Sequence, residues 1–178
     1  LGTEAMRNDD TARMIPARHF LRNCRRGRRR LKAADSTGVA LTAGDVLTRA
    51  FVLRRILRRE VLADDESCVG LLLPPTVAGV VANAVVALDG RVAVNLNYSV
   101  RSSDVVNHCI AQAGIRHVLT SRRMMEKLDL TIDAELVFLE DIAARVTLCD
   151  KLAAAWMARC EPIRLLERRL GLDKIDPD

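Results

Sequence analysis

This sequence predicts an α/β fold: a mainly parallel sheet flanked by helices, preceded by a short N-terminal β-hairpin. Three observations carry that prediction. Residues 69–98 read VGLLLPPTVAGVVANAVVALDGRVAVNLNY, in which an apolar run at 69–73 stops at Pro74-Pro75. A helix-length apolar segment at 76–88 then stops at Asp89-Gly90, and a second apolar run follows at 92–96. Strand, helix and strand within about thirty residues is the size of one βαβ unit. Neither run alternates polar with apolar, so each strand is expected to be covered on both faces, as in a parallel sheet between helices. Two further strand-like runs, 115–120 and 136–139, alternate with helical patterns. That order implies right-handed crossovers and a mainly parallel sheet.

The elements follow in order. Residues 1–14 are polar, and 15–32 read as a basic, linker-like stretch with apolar Ile15, Phe20 and Leu21 at its start, so 1–30 is taken as a basic linker arm. Residues 31–41 suit two short strands around Asp35-Ser36-Thr37-Gly38, a turn composition. Thr42 followed by Asp45 forms a capping-box pattern. The helix behind it carries Val46, Ala50, Leu53 and Leu57 at helical spacing, with Leu47, Phe51 and Val61 beside them. Arg49, Arg54, Arg55, Arg58 and Arg59 occupy much of the remainder and read as a solvated face. Ser102 or Ser103 caps a helix with Val105, Val106, Cys109, Ile110 and Ala113, which Gly114 stops. A short helix is expected over 122–128 and a fourth strand over 135–139, around Val137 and Phe138. Helices are then expected over 148–159, capped by Thr147, and over 163–170, ended by Gly171.

Composition narrows the class. A chain of 178 residues with 49% hydrophobic and 29% charged residues fits one domain with a real core. Aromatics are only 3%, so Val, Leu, Ile and Ala must fill it. The net charge of +5 is local: Arg22, Arg25, Arg26, Arg28, Arg29, Arg30 and Lys32 outweigh it, leaving the body mildly acidic. Five dispersed cysteines, Cys24, Cys68, Cys109, Cys149 and Cys160, include no C-x-x-C pair. They read as small buried hydrophobes in a reducing, cytoplasmic compartment rather than as a disulfide framework or zinc site. Residues 67–88 carry no charge and are long enough for a bilayer. Pro74-Pro75 in their middle would break a spanning helix, so they read as buried strand plus helix. The first thirty residues contain no apolar core of a signal peptide.

Chemistry is sparse. The turn after the first parallel strand is Pro74-Pro75-Thr76, without the glycines of a dinucleotide fold, and no Walker loop occurs. His19, His108 and His117 are too dispersed for a metal site. A Cys109 nucleophile with His108 as base is geometrically poor, because adjacent helical residues point about 100° apart. Asp64-Asp65-Glu66 reads as a solvated loop rather than a cation site. Asn95-Leu96-Asn97-Tyr98 stands at the carboxyl end of a parallel strand, the edge where open α/β sheets bind ligands. Turn chemistry accounts for both asparagines, and Asn83, in an apolar helix, needs a hydrogen-bond partner. No catalytic, cofactor-binding or metal residue is assigned.

Taken together, several segments resemble the start of an acyl-adenylate-forming ligase, the superfamily of acyl-CoA synthetases and luciferases. They are Leu41-Thr42 before an amphipathic helix, Val69-Gly70-Leu71-Leu72-Leu73-Pro74-Pro75, Asp89-Gly90-Arg91-Val92-Ala93-Val94-Asn95-Leu96-Asn97, and Gln112-Ala113-Gly114-Ile115-Arg116-His117-Val118-Leu119-Thr120-Ser121. Phe20-Leu21-Arg22 before Ala34-Asp35-Ser36, Pro74-Pro75, and Asn95-Leu96-Asn97-Tyr98-Ser99 are closer to the ligase half of bifunctional lysophospholipid acyltransferase/acyl-acyl-carrier-protein synthetases. The resemblance implies that 31–178 form the N-terminal subdomain of an AMP-binding enzyme. In such enzymes a fatty-acid carboxylate attacks the α-phosphate of ATP, with Mg²⁺, and the thiol of coenzyme A or acyl carrier protein then displaces AMP. The family's phosphate loop, rich in Gly, Ser and Thr and ending in Pro-Lys, does not occur here. Lys174-Ile175-Asp176-Pro177-Asp178 is the kind of segment that precedes it. No catalytic residue of the family transfers to a position in this chain, so ATP and Mg²⁺ are implied for the parent protein only, and the chain alone is expected to be inactive.

A reading of another class is a non-catalytic α/β domain whose basic arm binds nucleic acid. The arm lacks interleaved aromatics for stacking and the body is acidic, which count against it. An arm resting on an anionic membrane surface is compatible with the ligase reading.

Overall fold

The structure, a computed structural model, describes residues 15–99 and 102–173. The polar stretch 1–14 and the tail 174–178 lie outside the described residues. In chain order come helix α1 (Pro16–Arg26), strands β1 (Leu31–Ala34) and β2 (Ala40–Thr42), helix α2 (Ala43–Glu60) and strand β3 (Cys68–Leu72). Helix α3 (Val77–Leu88), strand β4 (Val92–Asn95), helix α4 (Ser103–Ala113), strand β5 (His117–Thr120) and helix α5 (Arg122–Leu128) follow. Strand β6 (Glu135–Phe138) and helices α6 (Leu139–Ala144), α7 (Leu148–Arg159) and α8 (Ile163–Arg169) complete the described chain.

Strands β3 to β6 form one wholly parallel sheet in the order β4-β3-β5-β6, and β1 pairs with β2 as an antiparallel hairpin. Both faces of the sheet are covered, as the unbroken apolar strands require. On one face Val69, Leu71 and Leu119 join the larger core with Phe51 and Leu57 of α2, Val85 of α3 and Ala154 of α7. On the other, Leu72 and Val118 pack with Leu96, Ile115 and the α4 residues Val106 and Ile110. Gly70 sits in the middle of β3 because the second face leaves it no room. A Cβ there would lie 2.8 Å from Val118 Cγ2 and 3.2 Å from Ile115 Cγ2.

Local signals hold where they were strong. Thr42 and Asp45 close a reciprocal capping box at α2, and Thr147 and Asp150 close another at α7. Gly114 ends α4 in the left-handed region at φ 60°, where glycine carries no Cβ penalty. At α4 Ser102 is the N-cap residue, but its side chain makes no capping bond.

Three readings of the helices need correction. Residues 16–26, expected to be linker-like, form α1, which buries Ala17, Leu21 and Cys24. The i, i+4, i+7 spacing of those three was present in the sequence, outweighed by surrounding arginines. Those arginines fasten the helix. Arg22 forms a two-pronged contact with Glu167 at 2.6 and 2.9 Å, and Arg25 donates to the carbonyls of Met157 and Glu161. Second, the arginine face of α2 is not uniformly solvated: the Arg54 side chain is only 11% exposed, beside Asp89. Third, α6 starts where the fourth strand was expected to end, burying Ile142.

Asp150 joins two elements. Besides capping α7, its carboxylate accepts from Arg55 Nε and Arg59 Nη1 of α2, both at 3.2 Å. The Thr147 hydroxyl and amide, then Arg55 and Arg59, hold this carboxyl below the usual carboxylate range. A carboxyl that ionises more readily folded than unfolded adds stability above its unfolded pKa, and that stability is lost as pH falls. Asp150→Asn is therefore expected to lower the melting temperature by a few degrees at neutral pH. The gap to the parent chain should narrow steadily below about pH 4. Thermal melts followed by circular dichroism at both pH values check this; a gap that widens in acid would contradict it.

Candidate functional site

The carboxyl ends of β3 and β4 carry the only polar group singled out in the sequence for ligand contact. Strand β3 leads through Leu73, Pro74, Pro75 and Thr76 into α3, and β4 leads through Leu96 and Asn97 to Tyr98. The start of α3 is capped from a distance. Thr76 makes no side-chain cap; Asp35, in the hairpin turn, accepts from the Val77 amide at 2.8 Å. Asp35 also accepts from the Thr37 hydroxyl and amide. The Thr37 hydroxyl foremost, then the Val77 amide, holds its carboxyl below the usual range. One turn on, Gly79 lets the Pro74 carbonyl approach: a Cβ would sit 3.0 Å from that oxygen.

These elements enclose a groove of about 700 Å³. Phe20 of α1, Leu73, Pro75, Val80, Ala84 and Leu96 supply apolar wall, and Thr76, Asn83, Asn95 and Tyr98 supply the polar groups. Asn83 and Asn95 bond to each other through both amides, at 3.2 and 2.9 Å, and Asn83 also donates to the Gly79 carbonyl. Asn83 thus has the partner it needs. Asn97 fastens the turn by accepting from the Ser99 amide, as turn chemistry predicted, whereas Asn95 bonds a side chain rather than the backbone. The contribution of α1 to this groove was missed in the sequence, because 15–32 read as linker; the signal was again the spacing of Ala17, Leu21 and Cys24.

Among the described residues no charged side chain lines the groove. Such a wall suits an apolar chain with one or two hydrogen-bonding groups. A triphosphate with Mg²⁺ does not fit these residues. The β3–α3 turn offers two prolines, which have no N–H, where a phosphate cradle needs amides and a cation. Among the described residues no group of three His, Cys, Asp or Glu side chains could hold a metal ion. A second groove, of about 960 Å³, runs between the hairpin, α2, α3, α6 and α7. Val52, Leu53, Val81, Ile142, Val146 and Leu152 line it, with Asp35, Arg49 and Lys151.

The remaining candidates disperse. His108 and Cys109 are both exposed on α4, and His19 is exposed on α1. The acidic cluster divides. Asp64 and Asp65 are solvated and pair with Arg58 and Arg116, while Glu66 is buried and accepts from the His117 amide, with His117 Nδ1 at 2.9 Å. Glu66 therefore departs from the solvated-loop expectation. Cys24 is buried and Cys68 half-buried, but Cys109, Cys149 and Cys160 are exposed, against the expectation of buried thiols. No described helix is long and apolar enough to cross a membrane.

An open parallel α/β fold, with a mainly apolar groove at the carboxyl edge of its first strands, is the class of structure these features define. Solved structures share that fold. The N-terminal subdomain of NpsA from Klebsiella oxytoca, in complex with 3-hydroxybenzoyl-AMSN, matches at TM-score 0.61 and 12% identity, over 73% of this chain and 32% of its own. The N-terminal domain of FACL13 from Mycobacterium tuberculosis matches at TM-score 0.60 and 19% identity, over 72% and 35%. VinN matches at TM-score 0.63 and 18% identity, over 82% and 37%. At such identities the likeness establishes the fold. The chain spans about a third of the length of these structures. No family model matches it.

Proposed function

We propose that this chain is the N-terminal scaffold of an ATP-dependent, AMP-forming ligase that activates a fatty acid for transfer to coenzyme A or acyl carrier protein. In this reading its parent is a bifunctional phospholipid acyltransferase, and the rest of the parent ligase is its main partner. The groove at the carboxyl edge of β3 and β4 carries the reading: among the described residues it offers an acyl chain an apolar wall and offers phosphates no cation. The fold shared with N-terminal portions of AMP-forming enzymes and the segments from Val69 to Ser121 support the superfamily. The Phe20-Leu21-Arg22 and Asn95-Leu96-Asn97-Tyr98-Ser99 segments support the subfamily. ATP and Mg²⁺ are held by residues outside this chain.

Two assays test it. The purified chain, given ATP, Mg²⁺ and a fatty acid, is expected to release no pyrophosphate and form no acyl-adenylate, because the groove beside the β3–α3 turn offers a triphosphate no cation among the described residues. The full product of the coding sequence, supplied with coenzyme A or acyl carrier protein as well, is expected to release AMP in step with acid and to form a thioester. Adenylate formation by the chain alone would end the scaffold reading. A full-length product with no acid-dependent AMP release would end the ligase reading.

A further inference from the structure

A second feature of the molecule lies away from the β3–β4 groove, although Leu152 also borders the second groove, and it does not depend on the ligase reading. Helix α7 buries Asp150, Ala154, Met157 and Ala158 on one side. On the opposite side it exposes Leu148, Leu152 and Trp156 by 71%, 63% and 63%. Their spacing of four residues keeps them within about 80° of one another on the helix surface. Arg159, seven residues after Leu152, falls between them on that wheel and prolongs the stripe at its carboxyl end.

There the stripe meets the arginine turn that follows α1. Arg25 bonds the carbonyls of Met157 and Glu161 and so seats this turn against the end of α7. Between them lies a cleft of about 500 Å³ lined by Arg26, Arg28, Arg29, Arg30 and Arg159 together with Arg25. Arg26, Arg28, Arg29 and Arg30 have no ion-pair partner among the described residues, although the same chain pairs arginines on α2 repeatedly. Five exposed guanidinium groups at the end of a leucine–tryptophan stripe combine cations for an anionic surface with side chains that partition beneath it. Tryptophan favours that interfacial depth, and arginine reaches outward from it.

We propose that the exposed face of α7 and the adjoining arginine turn form a docking surface for an anionic lipid bilayer. Leu148, Leu152 and Trp156 enter the interface, and Arg26, Arg28, Arg29, Arg30 and Arg159 contact lipid phosphates. Charge complementarity selects this occupant: an apolar face alone would suit a protein partner, and a cationic cleft alone would suit a polynucleotide, but the two run together.

Trp156 is the single tryptophan of the chain, so its fluorescence reports this face directly. The purified chain is titrated with phosphatidylcholine vesicles containing one-third phosphatidylglycerol, and with pure phosphatidylcholine vesicles. With the anionic vesicles the emission should shift to the blue and become protected from acrylamide, and near-molar salt should reverse both changes. With the neutral vesicles neither change is expected. Arg28→Gln, Arg29→Gln and Arg30→Gln combined should weaken binding by about a hundredfold, at roughly fivefold per cation. Leu152→Ala should weaken it while leaving the thermal melt unchanged, because the side chain is exposed. Four results would overturn the proposal: equal binding to neutral vesicles, vesicle binding with Trp156 still fully quenchable, salt-dependent binding of duplex DNA with no binding of vesicles, or a concentration-dependent blue shift without lipid, which would mean self-association through this face.

Discussion

Asp89→Ala is expected to destabilise the fold by about 3–5 kcal/mol, because it removes the acceptor shared by three arginines. The Asp89 side chain is 1% exposed and lies just past the carboxyl end of α3, where a helix disfavours negative charge. Its position makes sense only with its partners. Arg54 Nε lies 2.7 Å from Oδ1, an ion pair whose N–H does not line up as a hydrogen bond, and Arg91 Nε donates to Oδ2 at 2.6 Å. Arg58 adds a longer contact at 3.4 Å. Burial pulls the Arg54 guanidinium below its ordinary value, and Asp89 opposes that pull. Arg91 would keep its bonds to the carbonyls of Ala63 and Glu66 after the substitution, so most of the cost falls on Arg54. Replacing both members, Asp89→Ala with Arg54→Met, should therefore recover much of the loss, since an apolar pair leaves no buried charge. Urea unfolding of the two single variants and the double variant decides this. Additive losses would show that the pair is not coupled.

Gly70→Val is expected to cost about 3 kcal/mol, the upper part of the range for overpacking a core. Two effects oppose each other. Replacing glycine in a strand gains about 0.5–1 kcal/mol through the unfolded chain. Against that, the first added carbon already meets Val118 Cγ2 at 2.8 Å and Leu96 Cδ1 at 3.4 Å, and valine brings two more methyl groups. Steric crowding wins because Val118 is stiff at χ1 and 0% exposed, with nowhere to turn. The midpoint in urea should fall with the slope unchanged, and Val118→Ala should partly restore it. An unaltered midpoint would mean that β3 and β5 can separate more easily than their register implies.

How far the sequence could be read is clearest at particular residues. Thr42 with Asp45 and Thr147 with Asp150 announced two helix starts, because capping needs only residues three apart. The bounds 122–128 and 148–159 were reached from such local signals alone. Helix α1 was missed for the opposite reason: its burial depends on partners about 130 to 155 positions away, Met157, Glu161, Glu167 and Leu172. Glu66 read as part of a solvated acidic loop, since nothing local signals that His117, 51 residues later, will cover it.

The groove followed the same division. The sequence alone places Asn95, Asn97 and Tyr98 at a strand's carboxyl edge, and in the structure β4 ends at Asn95. Its apolar roof from Phe20 and the pairing of Asn83 with Asn95 appear only when α1 and α3 are set against β4. By itself, then, the sequence determined the α/β class, the parallel strands and most helix limits, since hydrophobic period and capping act over a few neighbouring residues. Tertiary structure alone decided the strand order that returns β5 beside β3, the three-arginine setting of Asp89, and the meeting of the α7 stripe with the arginine turn. Those depend on contacts between residues dozens of positions apart, whose geometry no short window of sequence contains.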